Sequence, residues 1–508
     1  MESSRIKNTA RNMLASTIFR IVNLAFPFFI NTIIIKTLGV EYLGLNSLFA
    51  SVLQVLSLTE LGFGSAMVFS MYEPVAKGDI AKVSALLALY RKVYLILGCI
   101  IIGIGLICIP FLPCIIEGSV PDGINLYILF IINLANTSVS YFLFGYRSTL
   151  LVAHQRNDIV DKIRLIIEIA LNLSKIIILL ITRNYYVFTL LLPLYTVIYG
   201  ILIFGFSKKM YPAYKCKGSI SKAERKSIFA KVYGASVNKL CYVLSNSFDN
   251  IIISGFLGLA ILGQYNNYFV IANAVVIFVK IVTTSATSSI GNSLVCESKE
   301  KNFEDFNTLQ FGFSMLIGWA AICILCLNQP FMKIWVGENL MFDPITAMVF
   351  AIFMYAKASV NVFMSYREAA GIWEHDKLRP LVEGVLNLGM NILFVQIIGV
   401  VGVIISTIIT MGVIRTIWGS YYLFKEYFVG YSHKKYLLKL LHYLVTTVLA
   451  GIASYLACDL VAFEGITALI LRGVICSAVT VVFYCFIYFR RQEFKRCLGI
   501  VKKVLRRS

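Results

Sequence analysis

The residues that could do chemistry in this chain are charges lodged inside apolar runs. Arg20 sits near the middle of the run 13–35, Lys239 in the run 232–256 and Lys280 in the run 266–290. An ionised side chain in hydrocarbon costs roughly 2.5–3.5 kcal/mol on insertion scales, so such a residue faces protein or water rather than lipid. At about 100° per residue, Arg20, Asn23, Pro27 and Asn31 fall on one helical stripe, and Lys239, Tyr242, Asn246 and Asn250 repeat that stripe. Asn273, Lys280, Thr284 and Thr287 make a third. Cations flanked by amide donors suit a phosphate group; asparagine and tyrosine suit sugar hydroxyls and rings. One reading is a water-filled cavity with a basic wall. The other is ion pairing between helices, with Glu60 or Asp249 as the acid. These two acids are also the candidates for carrying a coupling proton or Na⁺. Glu168 and Lys175, seven apart on one helix face with Asn172 between them, balance charge or pack within one lobe. The remaining charges inside runs are Lys357, Glu383, Arg415 and Arg472, of which Arg415 and Arg472 lie near run ends, where they can snorkel.

The elements that carry these residues follow from composition. The chain has 508 residues, 59% of them apolar and only 14% charged, with a mean hydropathy of +0.81. A soluble domain carries about a quarter charged residues, so this is an all-α polytopic membrane protein. Fourteen apolar runs have the length of membrane helices, near 13–35, 44–71, 93–116, 124–146, 163–182, 187–206, 232–256, 266–290, 309–328, 345–366, 381–398, 400–423, 440–461 and 466–489. With the N-terminus inside, the inner loops hold most of the lysines and arginines, Arg147 and Arg164 among them, whereas the outer loops hold only Lys36, Arg183 and Lys333. That asymmetry places both termini in the cytoplasm. It also accounts for the net charge of +20, so a nucleic-acid partner is unsupported. Cys323 and Cys326 form C-x-x-C inside an apolar run with no second pair, and no Walker A, H-E-x-x-H or G-x-S-x-G motif occurs. Metal, cofactor and catalytic roles therefore have no support, and the expectation is a transporter rather than an enzyme.

The basic loop 207–231 divides the chain into an N-terminal lobe of six spans (1–206) and a second lobe of six (232–425). Two further spans and a basic tail follow (426–508). Shifting the halves by 219 positions lays Gly39 and Gly44 on Gly258 and Gly263, Asn31 on Asn250, and Arg20 on Lys239. Later, Tyr146-Arg147 echoes Tyr366-Arg367, and Glu168 with Asn172-Leu173 echoes Glu383 with Asn387-Leu388. Repeats of six spans share one orientation and are related by an axis along the membrane normal, with the substrate path between them.

These motifs carry a resemblance. Leu38-Gly39-Val40-Glu41-Tyr42-Leu43-Gly44-Leu45, the block Leu56 to Ala66 around Glu60, Asp249-Asn250-Ile251-Ile252-Ile253-Ser254, Trp335-Val336-Gly337 and Tyr366-Arg367-Glu368-Ala369-Ala370-Gly371 occur in one ordered set. Together they resemble the bacterial Wzx-type polysaccharide flippases of the multidrug/oligosaccharidyl-lipid/polysaccharide exporter superfamily. The resemblance implies a fold like that of MATE exporters and the lipid II flippase, with alternating access in a bacterial plasma membrane. The implied substrate is an undecaprenyl-diphosphate-linked oligosaccharide moved from the inner to the outer leaflet. Membrane lipids, a polysaccharide polymerase and glycosyltransferases are the implied partners. Arg20, Lys239 and Lys280 would match the cavity cations of such flippases. A cation-coupled drug exporter would prefer an acidic cavity, and a membrane polymerase or acyltransferase would need large catalytic loops.

Overall fold

The structure is a computed structural model described for residues 24–57, 63–143, 145–372 and 378–505. No strand occurs among them. By its contacts the chain divides into two units, Met1–Gly263 and Gln264–Ser508. The first unit holds α1 (Leu24–Thr37), α2 (Val40–Leu56), α3 (Phe63–Ala76), α4 (Ile80–Cys108, continued by a 3₁₀ turn), α5 (Leu126–Phe142), α6 (Arg147–Ala153), α7 (Asn157–Thr182) and α8 (Tyr185–Met210). α9 (Lys222–Cys296) begins in it. The second unit holds the end of α9 and then α10 (Lys299–Trp335), α11 (Pro344–Ser359), α12 (Asn361–Ala369) and α13 (Leu378–Thr407). After these come a π-helical turn (Ile408–Ile414), α14 (Arg415–Glu426), α15 (His433–Asp459), α16 (Ile466–Tyr488) and α17 (Gln492–Leu505). Among the described residues nine helical segments are long and apolar enough to cross a membrane, and two of them, Ser247–Thr283 and Leu378–Glu426, run to 37 and 49 residues. Each of these two is broken where the sequence separates its runs, at Gly258 and at Ile398-Gly399. The break between α7 and α8 is made by Arg183 in the left-handed region (φ 48°), followed by Asn184, whose side chain caps α8 by accepting from the amides of Tyr186 and Val187.

Backbone geometry repeats at the spacing of the sequence repeat. Gly39 (φ 123°, ψ 167°) and Gly258 (φ 86°, ψ 172°) adopt a conformation open essentially to glycine alone. Gly118 (φ 81°) and Gly337 (φ 87°), also 219 apart, are both in the positive-φ range. Asp79 caps α4 from the amide of Lys82, and Ser298 caps α10 from the amide of Lys301, again at a spacing of 219. Within the first unit, α2 crosses the part of α9 beyond Gly258 at backbone contact. A Cβ on Gly44 would collide with the carbonyl of Leu259, and a Cβ on Gly263 would collide with the carbonyl of Val40. Each glycine lies 219 positions from its counterpart, and so do the two carbonyls. The crossing is therefore self-matching about a local two-fold, built on small residues as close helix pairs in lipid are.

Two stretches that look like solvated charge in the sequence are structured. The basic connection between α8 and α9 docks on the first unit. Tyr211 stacks on His154 with ring centroids 4.0 Å apart, and Arg147 donates to the Tyr214 carbonyl at 3.1 Å. Arg147, counted above as an inner-loop charge, is buried, with its guanidinium also over the rings of Phe204 and Tyr146. Lys82 pairs with Glu224 at 2.9 Å, and that hydrogen bond holds the Glu224 carboxyl below the usual carboxylate range. The basic tail forms α17, which docks on α10 through Arg496–Glu304 (2.9 Å) and the ring of Phe494 against Phe311.

The crossing yields a stability prediction. Gly44→Ala and Gly263→Ala each force the helices apart and should cost about 1–3 kcal/mol, the range for overpacking a filled contact. Gly103→Ala, on α4 where a Cβ meets nothing, should leave stability unchanged or slightly raised. Melting temperatures of the purified variants in one detergent check the contrast.

Candidate functional site

The most developed polar site among the described residues lies in the second unit, on the helix pair formed by α13 and α14. Arg379 and Glu383 are one turn apart on α13, and Arg379 Nη1 donates to Glu383 Oε2 at 2.7 Å. Arg415, the first residue of α14, closes the other side: its Nε donates to Glu383 Oε2 at 3.1 Å and its Nη2 to Oε1. The side chains of Arg379 and Glu383 are 4% and 2% exposed, so the cluster is dry, and Arg415 is 15% exposed. One turn further along α13, Asn387 donates to the hydroxyls of Thr407 and Thr410 at 3.3 Å each, and Asn391 donates to the side-chain Oδ1 of Asn387. Thr407 precedes the π-helical turn Ile408–Ile414, Thr410 lies within it and Arg415 follows it. Such a turn holds an extra residue and so resets the direction of the side chains that follow it. The snorkelling expected of Arg415 is thus corrected, because its guanidinium is engaged by Glu383 inside the helix pair. With both carboxylate oxygens taken by guanidinium donors, this acid works as a lock between helices rather than as an open ion site.

The first unit carries a weaker copy. Arg164, Glu168 and Asn172 on α7 stand 215 positions before Arg379, Glu383 and Asn387. Asn172 is buried and Glu168 half-buried. Arg164 lies over the ring of Tyr199, at 5.9 Å. Lys175 Nζ sits 5.0 Å from the ring of Phe188, so the aromatic face stabilises this cation, with Glu168 as a more distant charge. Lys357 in the second unit is held the same way, buried between the rings of Phe269 and Phe353 at 5.1 and 5.0 Å.

The polar stripes read from the sequence are met in part. Asn31 on α1 and Asp249 on α9 are buried, each 5% exposed. Asn250 donates to Ser51 of α2 at 2.8 Å, and Ser247 donates to Gln54 at 3.2 Å, so the stripe of α9 forms a polar seam against α2. Lys280 is exposed and within electrostatic reach of Glu368 on α12. Arg20, Asn23 and Glu60 lie outside the described residues, and of Lys239 and Asn246 only the backbone, helical within α9, is described. Arg379 escapes the sequence reading because it stands two residues before its apolar run and counts as loop charge. The signal that finds it is the 215-position echo, extended one turn back from Glu168 and Glu383. No group of three side chains able to hold a metal ion occurs among the described residues.

No protein-family profile matches the chain, and no curated protein aligns with it significantly. Solved structures do match. A lipid II flippase MurJ in an inward closed conformation superposes with a TM-score of 0.66 at 15% identity, covering 94% of this chain and 98% of that one. An inward-facing multidrug resistance MATE family transporter of the MOP superfamily gives 0.64 at 15% identity, covering 80% and 97%. A MOP superfamily transporter from Pyrococcus furiosus, described by a binding pocket of reverse polarity, gives 0.50 at 15% identity, covering 82% and 95%. The chain has the MATE/MurJ fold. This all-helical architecture is the one the resemblance implies, and the likeness to MurJ extends over 94% of the chain.

Within the MATE/MurJ fold the Arg379–Glu383–Arg415 cluster has a measurable consequence. Glu383→Gln removes the negative charge that both guanidiniums contact and should cost about 3–5 kcal/mol, the range for breaking a buried ion pair from one side. Replacing all three residues by methionine should recover most of that loss. Thermal unfolding in detergent, read for wild type, single and triple variants, tests both expectations.

Proposed function

We propose that this chain is a flippase. It moves a polyprenyl-diphosphate-linked oligosaccharide from the inner to the outer leaflet of a bacterial plasma membrane by alternating access of its two six-helix lobes. The observation that carries the reading is the exact repeat geometry of Gly39, Gly44, Gly258 and Gly263 in a fold shared with a lipid II flippase. That register makes Arg20 and Lys239 counterparts on two polar stripes. In the proposed mechanism Arg20, Lys239 and Lys280 take the diphosphate, with Asn23, Asn31, Asn246 and Asn250 lining the path for the sugars while the prenyl chain stays in lipid. A diphosphate needs cations and N–H donors and no covalent step, so positioned guanidinium, ammonium and amide groups suffice. Glu60 and Asp249 are the acids that a proton or sodium gradient would act through, and Glu168 with Lys175 balances charge inside the first lobe. The likeness to a multidrug resistance transporter supports a second reading, export of an amphipathic drug. The surplus of cations over acids inside the runs favours the anionic substrate.

Arg20→Ala and Lys239→Ala should each abolish export of the surface polysaccharide in cells while membrane insertion and yield stay normal. In liposomes containing the purified protein alone, a fluorescent polyprenyl-diphosphate sugar should become accessible on the far leaflet with wild type and not with either variant. Normal export by both variants would overturn the assignment of the diphosphate to these residues. Drug resistance conferred by the overexpressed protein would support the second reading instead.

A further inference from the structure

A cavity of about 460 Å³ opens on the second unit where α10, α11, α15 and α16 meet. Its walls are largely apolar, and several of them face lipid: Ile345 is 65% exposed, and Met348 and Tyr455 are also exposed. Gln329 lines it too, but its amide is already used, donating to the Phe342 carbonyl and accepting from Tyr268. Two charged groups remain. Arg472, inside the apolar helix α16, donates from Nη2 to the Val461 carbonyl at 3.0 Å, and its Nε is buried with no hydrogen-bond partner among the described residues. Asp459, the last residue of α15, is exposed and makes no ion pair among the described residues, with Arg472 or any other cation. Of the other acids at this end, Glu338 and Glu464 are both held by Lys333 at 2.6 Å, and Asp343 caps α11 by accepting from the amide and hydroxyl of Thr346.

We infer that this cavity binds the head group of a bilayer phospholipid, with phosphatidylethanolamine as its occupant. Arg472 takes the phosphate and Asp459 the ammonium. The depth is right, because Arg472 lies six residues into α16, about 9 Å along the axis from its start. That is within reach of the interface for a phosphate. The Val461 carbonyl holds the guanidinium at the cavity instead of letting it snorkel to water. A hydrated inorganic anion does not suit apolar walls, whereas a lipid brings acyl chains to cover them. A separated cation and anion select a zwitterion over a lipid whose only charge is phosphate.

The test is native mass spectrometry of the full-length protein in detergent, titrated with dioleoyl-phosphatidylethanolamine, dioleoyl-phosphatidylglycerol and undecaprenyl phosphate. Wild type should bind one phosphatidylethanolamine about tenfold more tightly than phosphatidylglycerol, the discrimination of one charge-assisted contact. Arg472→Gln should remove that site, Arg472→Lys should restore it, and Asp459→Asn should erase the preference for the ethanolamine head group. Met348→Trp, which fills the cavity and leaves both charges in place, should also remove binding, so the outcome does not hinge on whether Arg472→Gln folds. Unchanged binding in Arg472→Gln and Met348→Trp overturns the inference. Displacement of phosphatidylethanolamine by undecaprenyl phosphate at equal concentration overturns it as well.

Discussion

Hydrocarbon gives a buried charge no water to fall back on, and that constraint shapes the buried charged positions among the described residues. Several cations inside described helices have specific partners. Arg379 and Arg415 converge on Glu383. Lys357 lies between two phenyl rings, and Lys175 lies over one. Arg147 combines a backbone carbonyl with two ring faces. The solutions differ because the neighbours differ. Arg379 has an acid one turn away on its own helix, and an ion pair forms. Where the facing helix offers only aromatics, the ring quadrupole does the same work at lower strength. Arg472, like Arg147, keeps a buried Nε without a hydrogen-bond partner among the described residues.

The second organising element is the close crossing in the first unit. Two helices meet lipid-side without a hydrophobic drive to hold them together, so contact area at the backbone must substitute. Glycine at 44 and 263 gives that contact, and glycine at 39 and 258 sets the chain direction into it. Next to the crossing, Asn250 with Ser51 and Ser247 with Gln54 tie the same helices by side-chain hydrogen bonds. Packing and polarity thus act at one seam. A substitution there disturbs both the contact and the polar face that the proposed function uses.

The C-terminal region shows the same economy. α15 and α16 pack on α10 around Phe311, Tyr443, Tyr484 and Tyr488, and the hydroxyls of Tyr484 and Tyr488 reach Thr447 and Thr446 of α15. Aromatic rings give buried area, and the phenols of Tyr484 and Tyr488 still find hydroxyl partners inside the bundle. α17 then turns back along α10, so the basic tail is anchored by Glu304 and Lys439 pairs rather than trailing into solvent.

Much of this architecture is legible in the residues taken one after another. Helical spans are local: about 20 apolar residues must form one helix in a bilayer whatever surrounds them. The breaks are local too, since Gly258, Gly399 and the Arg183-Asn184 pair each stop a helix through their own backbone preferences. The repeat register is legible because the positive φ at Gly39 and Gly258 leaves few other residues possible at either place. Partners across helices are another matter. That Arg415 turns inward to Glu383, that Arg379 joins them, that Arg147 is buried and that the 211–221 connection docks on α6 all depend on contacts between segments far apart in the chain. Charge and spacing leave those contacts open, because a cation near the end of an apolar run can reach water or a neighbouring helix equally well. Only the packing of the helices decides between them.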